Sequence, residues 1–87
     1  MPPYGYGELL MADGTVTEVD ACGLDCPMPL LKAKRALNGM QSGERLRLLA
    51  TDTGSQRDFQ VFAEQSGHLL LDADERDGVF IYLIEKR

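Results

Sequence analysis

The 87-residue sequence predicts an α/β two-layer sandwich: a four-stranded mixed sheet with two helices on one face, in the order β-α-β-α-β-β. Three observations predict it. Four short runs alternate apolar and polar residues at the period of a strand. Two longer runs, at about 27–38 and 56–66, repeat apolar residues at helical spacing. Arg76-Asp77-Gly78, between the last two alternating runs, carries a hairpin signal.

In order, residues 1–14 are rich in Gly, Pro and Tyr, have no stable period and read as a flexible arm before a single domain at 15–87, with Met11 an alternative start. Residues 15–20 are β-branched and alternating, the first strand. Gly23 then permits a tight approach or a positive φ. In the first helix Leu30, Ala33, Leu37 and Met40 form one apolar stripe, and Gly39 is a plausible C-terminal cap. Residues 45–50 form the second strand, with Leu46, Leu48 and Ala50 on one face. Thr51 to Ser55 is dense in turn and capping residues, and Asp52 or Thr53 is the expected N-cap of the second helix. That helix presents Phe59, Phe62, Ala63 and Ser66 on one side and ends at Gly67. The third strand, 68–74, has Leu69, Leu71 and Ala73 alternating; the fourth spans 79–86. The three strands joined by helices predict parallel strands with right-handed crossovers, and the hairpin adds an antiparallel one.

A chain this short buries roughly 60–65% of its unfolded surface and has no room for a deep cleft with many catalytic groups. Function is expected on one exposed site. Nine basic and fourteen acidic residues give a net charge of −5, which weighs against direct nucleic-acid binding. The bases are uneven: Lys32, Lys34 and Arg35 crowd the first helix, either a solvated face or a docking patch for an acidic partner. Two cysteines do not make a disulfide scaffold. No basic leader is visible, and the longest apolar run, Val79 to Ile84, is too short for a membrane span. The expected setting is a reducing cytoplasm.

The stretch that carries chemistry is Cys22-Gly23-Leu24-Asp25-Cys26-Pro27-Met28-Pro29. It places a thiol where a strand hands over to a helix. Proline suits the first helical turn because its missing N–H has no intrahelical partner there. Cys26 is then the expected N-cap or first-turn residue, facing free N–H groups and the positive end of the helix dipole. A thiol so placed is expected to ionise readily, and the thiolate is the reactive form. Gly23, Asp25, Pro27 and Pro29 support the site; Asp25 argues for exposure of its neighbour. Met28 is an apolar contact for partners.

This Cys-Pro-x-Pro helix opening, with Ala50-Thr51-Asp52 before the second helix, Arg57-Asp58 inside it and Gly67-His68 before the third strand, resembles the TusA/SirA-like sulfur-carrier family over about residues 19–84. The resemblance implies a small cytoplasmic carrier of this fold. It implies that Cys26 accepts sulfur as a persulfide from a cysteine desulfurase or rhodanese-type enzyme. The sulfur then passes to a protein acceptor, in some members toward tRNA thiolation or cofactor synthesis. Two positions depart from the pattern: Met28 stands where the tRNA-thiolation carriers often have Glu, and Thr53 where many members have Pro.

Other candidates weigh less. Cys22 could resolve or relay, or be a small residue at a strand end. Arg57 is a candidate partner contact, though a solvated helix charge is the simpler reading. Two cysteines and a distant His68 fall short of the four protein ligands of a structural zinc, so neither metal nor cofactor is expected; His68 reads as a strand-edge residue rather than a base. The rivals to sulfur transfer are a non-catalytic regulatory or interaction module, in which Cys26 is incidental, and a Cys22/Cys26 thiol-redox switch.

Overall fold

A computed structural model describes residues 16–87. The readings of an arm at 1–14 and of Thr15 lie outside the described residues. The order is β1 (Val16–Ala21), α1 (Met28–Asn38), β2 (Arg45–Ala50), α2 (Ser55–Ser66), β3 (Leu69–Arg76) and β4 (Val79–Glu85). It is the β-α-β-α-β-β succession that periodicity predicts, with boundaries shifted by one or two residues.

The sheet order is β1-β2-β4-β3. β1 and β2 pair in parallel, and β4 runs antiparallel to both β2 and β3. β3 therefore points the same way as β1 and β2, but the last strand slots between β2 and β3. The hairpin makes this possible. Asp77 and Gly78 have φ of 52° and 82°. Two successive positive φ values define the tight turn whose twist matches antiparallel strands, and glycine occupies the second at no steric cost.

Alternation decides which side chains go inward. Leu46, Leu48 and Ala50 of β2 and Phe80, Tyr82 and Ile84 of β4 are buried on one face. They meet Ala33 and Leu37 from α1 and Phe59 from α2. The α1 stripe lies as its spacing predicts, with Ala33 and Leu37 fully buried and Leu30 and Met40 packed at the margin. Each large apolar side chain removed from water contributes about 1.5–3 kcal/mol. Phe59 stacks on Tyr82 with ring centroids 4.6 Å apart. The Tyr82 hydroxyl lies 2.7 Å from the Ser55 hydroxyl, so two buried polar groups satisfy each other.

The third strand departs from the expected alternation. Leu69 and Leu71 are exposed, at 53% and 42%, and Leu70 is the residue packed against the core. A register shift between Leu70 and Asp72 accounts for this: Leu70 faces Ile84 and Asp72 faces Leu83, leaving Leu71 as an extra, bulged residue. The bulge resets the phase, so Ala73 lies opposite the core residue Tyr82.

Candidate functional site

The parallel pairing of β1 with β2 builds the site. Both strands end on the same side of the sheet, so the loops into α1 and α2 emerge next to each other. Ligand and active sites of parallel α/β sheets gather at such carboxyl ends. The two loops are tied directly: the Gly23 N–H donates to the Thr51 hydroxyl at 2.8 Å. Gly23 has φ 82°, which an L side chain rarely adopts, and this sharp turn brings its N–H against the second loop.

Cys26 sits on the first loop, exposed and with a free thiol. It is one residue before the position expected for it, because Pro27 is the N-cap of α1. Pro29 is buried within the first turn. The expectation that the prolines leave N–H groups free toward the sulfur is corrected. Pro27 and Pro29 carry no N–H at all, and the Met28 N–H is taken by the Asp25 carbonyl at 2.8 Å. Asp25 thus supports the site through its backbone.

The residue that engages the thiol comes from the other helix. The Cys26 Sγ–H donates to Asp58 Oδ2 at 2.6 Å. Gly54, the N-cap of α2, is so close that a Cβ there would lie 3.5 Å from the Cys26 Cβ, 3.7 Å from its sulfur and 2.9 Å from Asp52 Oδ2. The expected capping by Asp52 or Thr53 is corrected as well. No side chain caps α2; the Asp52 carbonyl accepts from the Ser55 N–H and the Thr53 carbonyl from the Gln56 N–H. Asp52 instead turns one buried oxygen, Oδ2, into the structure with no hydrogen-bond partner among the described residues.

These carboxylates reverse the expected electrostatics. The hydrogen bond to Asp58 favours the protonated thiol, and desolvation and the negative charges of Asp58 and Asp52 add to it. The Cys26 thiol is pushed up to about 11. The helix-front location therefore does not lower the pKa of this thiol: its hydrogen-bond partner is the Asp58 carboxylate, and the nearby charges are negative. Cys22 is also a free, exposed thiol at the end of β1. Its pKa is raised too, chiefly by its hydrogen bond with Asp20, whose Oδ1 also accepts the Cys22 N–H at 2.9 Å.

The remaining sequence candidates surround this centre. Met28 and Leu31 are 45% and 47% exposed, an apolar patch one helical turn long beginning two residues after Cys26. Lys32, Lys34 and Arg35 are exposed along α1. Lys34 lies over the Phe62 ring, 5.6 Å from its centroid, so it is in part held against α2. Arg57, Asp58, Val61 and Phe62 of α2 line, with Leu30 and Lys34, a shallow groove of about 320 Å³ between the helices. His68 is half-buried, its Nδ1 accepts the Arg87 N–H at 3.0 Å, and burial lowers its pKa; it is far along the chain from the thiol and holds the C-terminal segment. Among the described residues no group of three or more potential ligands is arranged to hold a metal.

Asp58 and Gly54 were missed as site residues by sequence reasoning. The signal that finds them is topological. Once two βα units are assigned parallel, neighbouring strands, the first turns of their helices must lie together, and the polar residues of the second become candidates beside the thiol of the first.

Comparison with known proteins places this geometry in a family. The family model for the sulfurtransferase TusA matches residues 17–86. The sulfur carrier protein TusA of Allochromatium vinosum is 51% identical over 69 residues, which cover 79% of this chain and 91% of that protein. The TusA sulfur carrier of Pseudomonas putida is 36% identical over 69 residues, covering 79% and 86%. Among solved structures, a SirA-like protein from Desulfitobacterium hafniense superposes with a TM-score of 0.71 at 30% identity, covering 82% of this chain and 96% of that one. The thiol-bearing loop, both helices and all of the sheet but Val16 fall within the matched residues, and the chain belongs to the TusA family of sulfur carriers.

Proposed function

We propose that this protein carries sulfur as a persulfide on Cys26, taking it from a donor protein of the cysteine desulfurase or rhodanese type and handing it to a protein acceptor. The observation that carries the reading is the exposed, unbridged Cys26 thiol at the shared front of α1 and α2, in a chain of the TusA family.

The step is an exchange in which the thiol loses its proton and the Cys26 sulfur attacks the outer sulfur of a protonated donor persulfide. A new S–S bond forms to Cys26, the donor's own S–S bond breaks, and its electron pair leaves on the donor cysteine sulfur, which takes up a proton. One sulfur atom moves, no external oxidant or reductant is consumed, and rates follow the same attacking- and leaving-group logic as thiol–disulfide exchange. Discharge repeats the step with an acceptor thiolate attacking the outer sulfur on Cys26.

The surroundings suit docking rather than small-molecule binding. Met28 and Leu31 offer apolar contact beside the sulfur, Lys32 and Arg35 offer charge, and the interhelical groove with Arg57 is open to a partner's side chain. A reducing cytoplasm is the compartment that keeps such a thiol available. No helix among the described residues is long and apolar enough to cross a membrane.

The test is loading with a purified cysteine desulfurase and cysteine, read by intact mass. We expect a one-sulfur adduct on the wild type and none on Cys26→Ser. A wild type that stays unmodified, or a Cys26→Ser variant that still gains sulfur, refutes the proposal. If both proteins capture the same partners with equal strength while neither carries sulfur, the molecule is an interaction module.

A further inference from the structure

The thiol of a carrier has to be inert between partners and reactive when docked. In this protein it hydrogen-bonds to a carboxylate, at 2.6 Å, from a helix 32 positions along the chain. Asp58 is half-buried and makes no ion pair among the described residues, although Arg57 is its neighbour in sequence and Lys34 lines the same groove. A second carboxylate, that of Asp52 on the β2–α2 loop, presents a buried oxygen without a partner and adds its charge at the thiol. Asp25 precedes the cysteine on its own loop. The opening of α1 is poor in donors: Pro27 and Pro29 have no N–H, and the Met28 N–H bonds to the Asp25 carbonyl.

We infer that Asp58 is a proton-holding residue of the transfer site: its carboxylate keeps Cys26 as a thiol in the free carrier and yields it to a partner that brings a cationic group against Asp58. The inference rests on the sulfur-carrier reading and adds a partner chemistry to it. When a Lys or Arg of the donor pairs with the Asp58 carboxylate, that carboxylate stops stabilising the S–H. The proton passes to the departing donor sulfur, directly or through solvent, as the Cys26 sulfur bonds to the outer persulfide sulfur. Mass and charge balance as in the exchange above: thiol plus donor persulfide become carrier persulfide plus donor thiol.

The experiment uses the full chain in a Cys22→Ser background, so that Cys26 is the one thiol read. The first measurement is the pH dependence of iodoacetamide alkylation, followed by intact mass. Asp58→Asn is expected to move the midpoint down from about 11 toward the ordinary value of 9.0. A complete return to 9.0 raises the thiolate fraction near neutral pH about a hundredfold, and the weaker nucleophilicity of a less basic thiolate takes back roughly eightfold; since desolvation and Asp52 remain, alkylation is expected to be faster by severalfold, with about tenfold the upper bound. Asp58→Glu is expected to keep the high midpoint. Asp52→Asn, which acts through charge alone, is expected to shift it less than Asp58→Asn.

The second measurement reads partner charge with three disulfide probes: cystamine, 2-hydroxyethyl disulfide and dithiodiglycolate. Wild-type Cys26 is expected to exchange fastest with the cationic probe and slowest with the anionic one, and Asp58→Asn to compress that spread severalfold. Asp58→Ala serves as a second neutral variant if the asparagine protein does not fold. Coincident midpoints for wild type and the neutral variants, or an unchanged order and spread of probe rates, overturn the inference. Either result leaves desulfurase loading of the wild type untouched. Conversely, failure of that loading removes the carrier reading while the midpoint shift still stands.

Discussion

Tyr82→Phe and Ser55→Ala form a pair of perturbations that tests how the second helix is anchored. The two hydroxyls are 2.7 Å apart, and the residues are 2% and 1% exposed. Ser55 opens α2, immediately after Gly54, and Tyr82 lies at the centre of β4. The bond therefore pins to the sheet the turn that sets Asp58 against Cys26. Removing one hydroxyl strands its partner in a dry environment, at a cost of about 1–3 kcal/mol for each single variant. Removing both leaves no orphan, so the double variant is expected to lose less than the sum, with a coupling of about 1 kcal/mol. In a domain this size 1 kcal/mol corresponds to roughly 4–8 °C in Tm. Urea unfolding followed by far-UV circular dichroism on the four proteins of the cycle gives the numbers. Single variants whose effects add within about 0.3 kcal/mol, or a Tyr82→Phe protein as stable as wild type, refute the reasoning.

Three further outcomes are expected. Leu37→Ala empties a fully buried position between α1 and the sheet and is expected to cost about 2–5 kcal/mol, enough to lower the urea midpoint sharply or to unfold the chain. Gly54→Ala puts a Cβ 2.9 Å from Asp52 Oδ2 and 3.5 Å from the Cys26 Cβ; the protein is expected to stay folded by circular dichroism but to load sulfur more slowly, and an unchanged loading rate counts against close packing at the thiol. His68 is the sole histidine of the sequence, and burial lowers its pKa. The unfolded chain then binds more protons over the window below the ordinary histidine value, so stability is full above about pH 6.5 and declines as pH falls through the folded value. Urea midpoints at neutral and mildly acidic pH, compared for wild type and His68→Gln, are expected to show a smaller acid loss in the variant.

Much of the architecture is legible in the sequence because it is local. The period of Leu46, Leu48 and Ala50 writes a strand with one inward face, and Leu30, Ala33, Leu37 and Met40 write a helix stripe; each lies as its spacing requires. Asp77-Gly78 announces its turn through the conformations those residues tolerate. β3 resists the same reading because one bulged residue, Leu71, resets the alternation, and a bulge is a property of the pairing between two strands. The caps of α2 resist it for a similar reason. Asp52 is a good capping residue in isolation, yet its side chain turns one oxygen into the interior and backbone carbonyls take over the task.

By itself the sequence determined the order of elements, the position of a thiol at the front of a proline-opened helix, and the residue pattern that marks a sulfur-carrier family. Only the tertiary structure decided the protonation of that thiol. The sign of a pKa shift is set by which charges and donors lie within a few ångströms. The parallel pairing of β1 and β2 brings Asp58 across 32 positions to within hydrogen-bond reach of Cys26, while the prolines and the Asp25 carbonyl remove donors that the helix front would otherwise offer. Helix position is a one-dimensional property; the field at a sulfur atom is a sum over space.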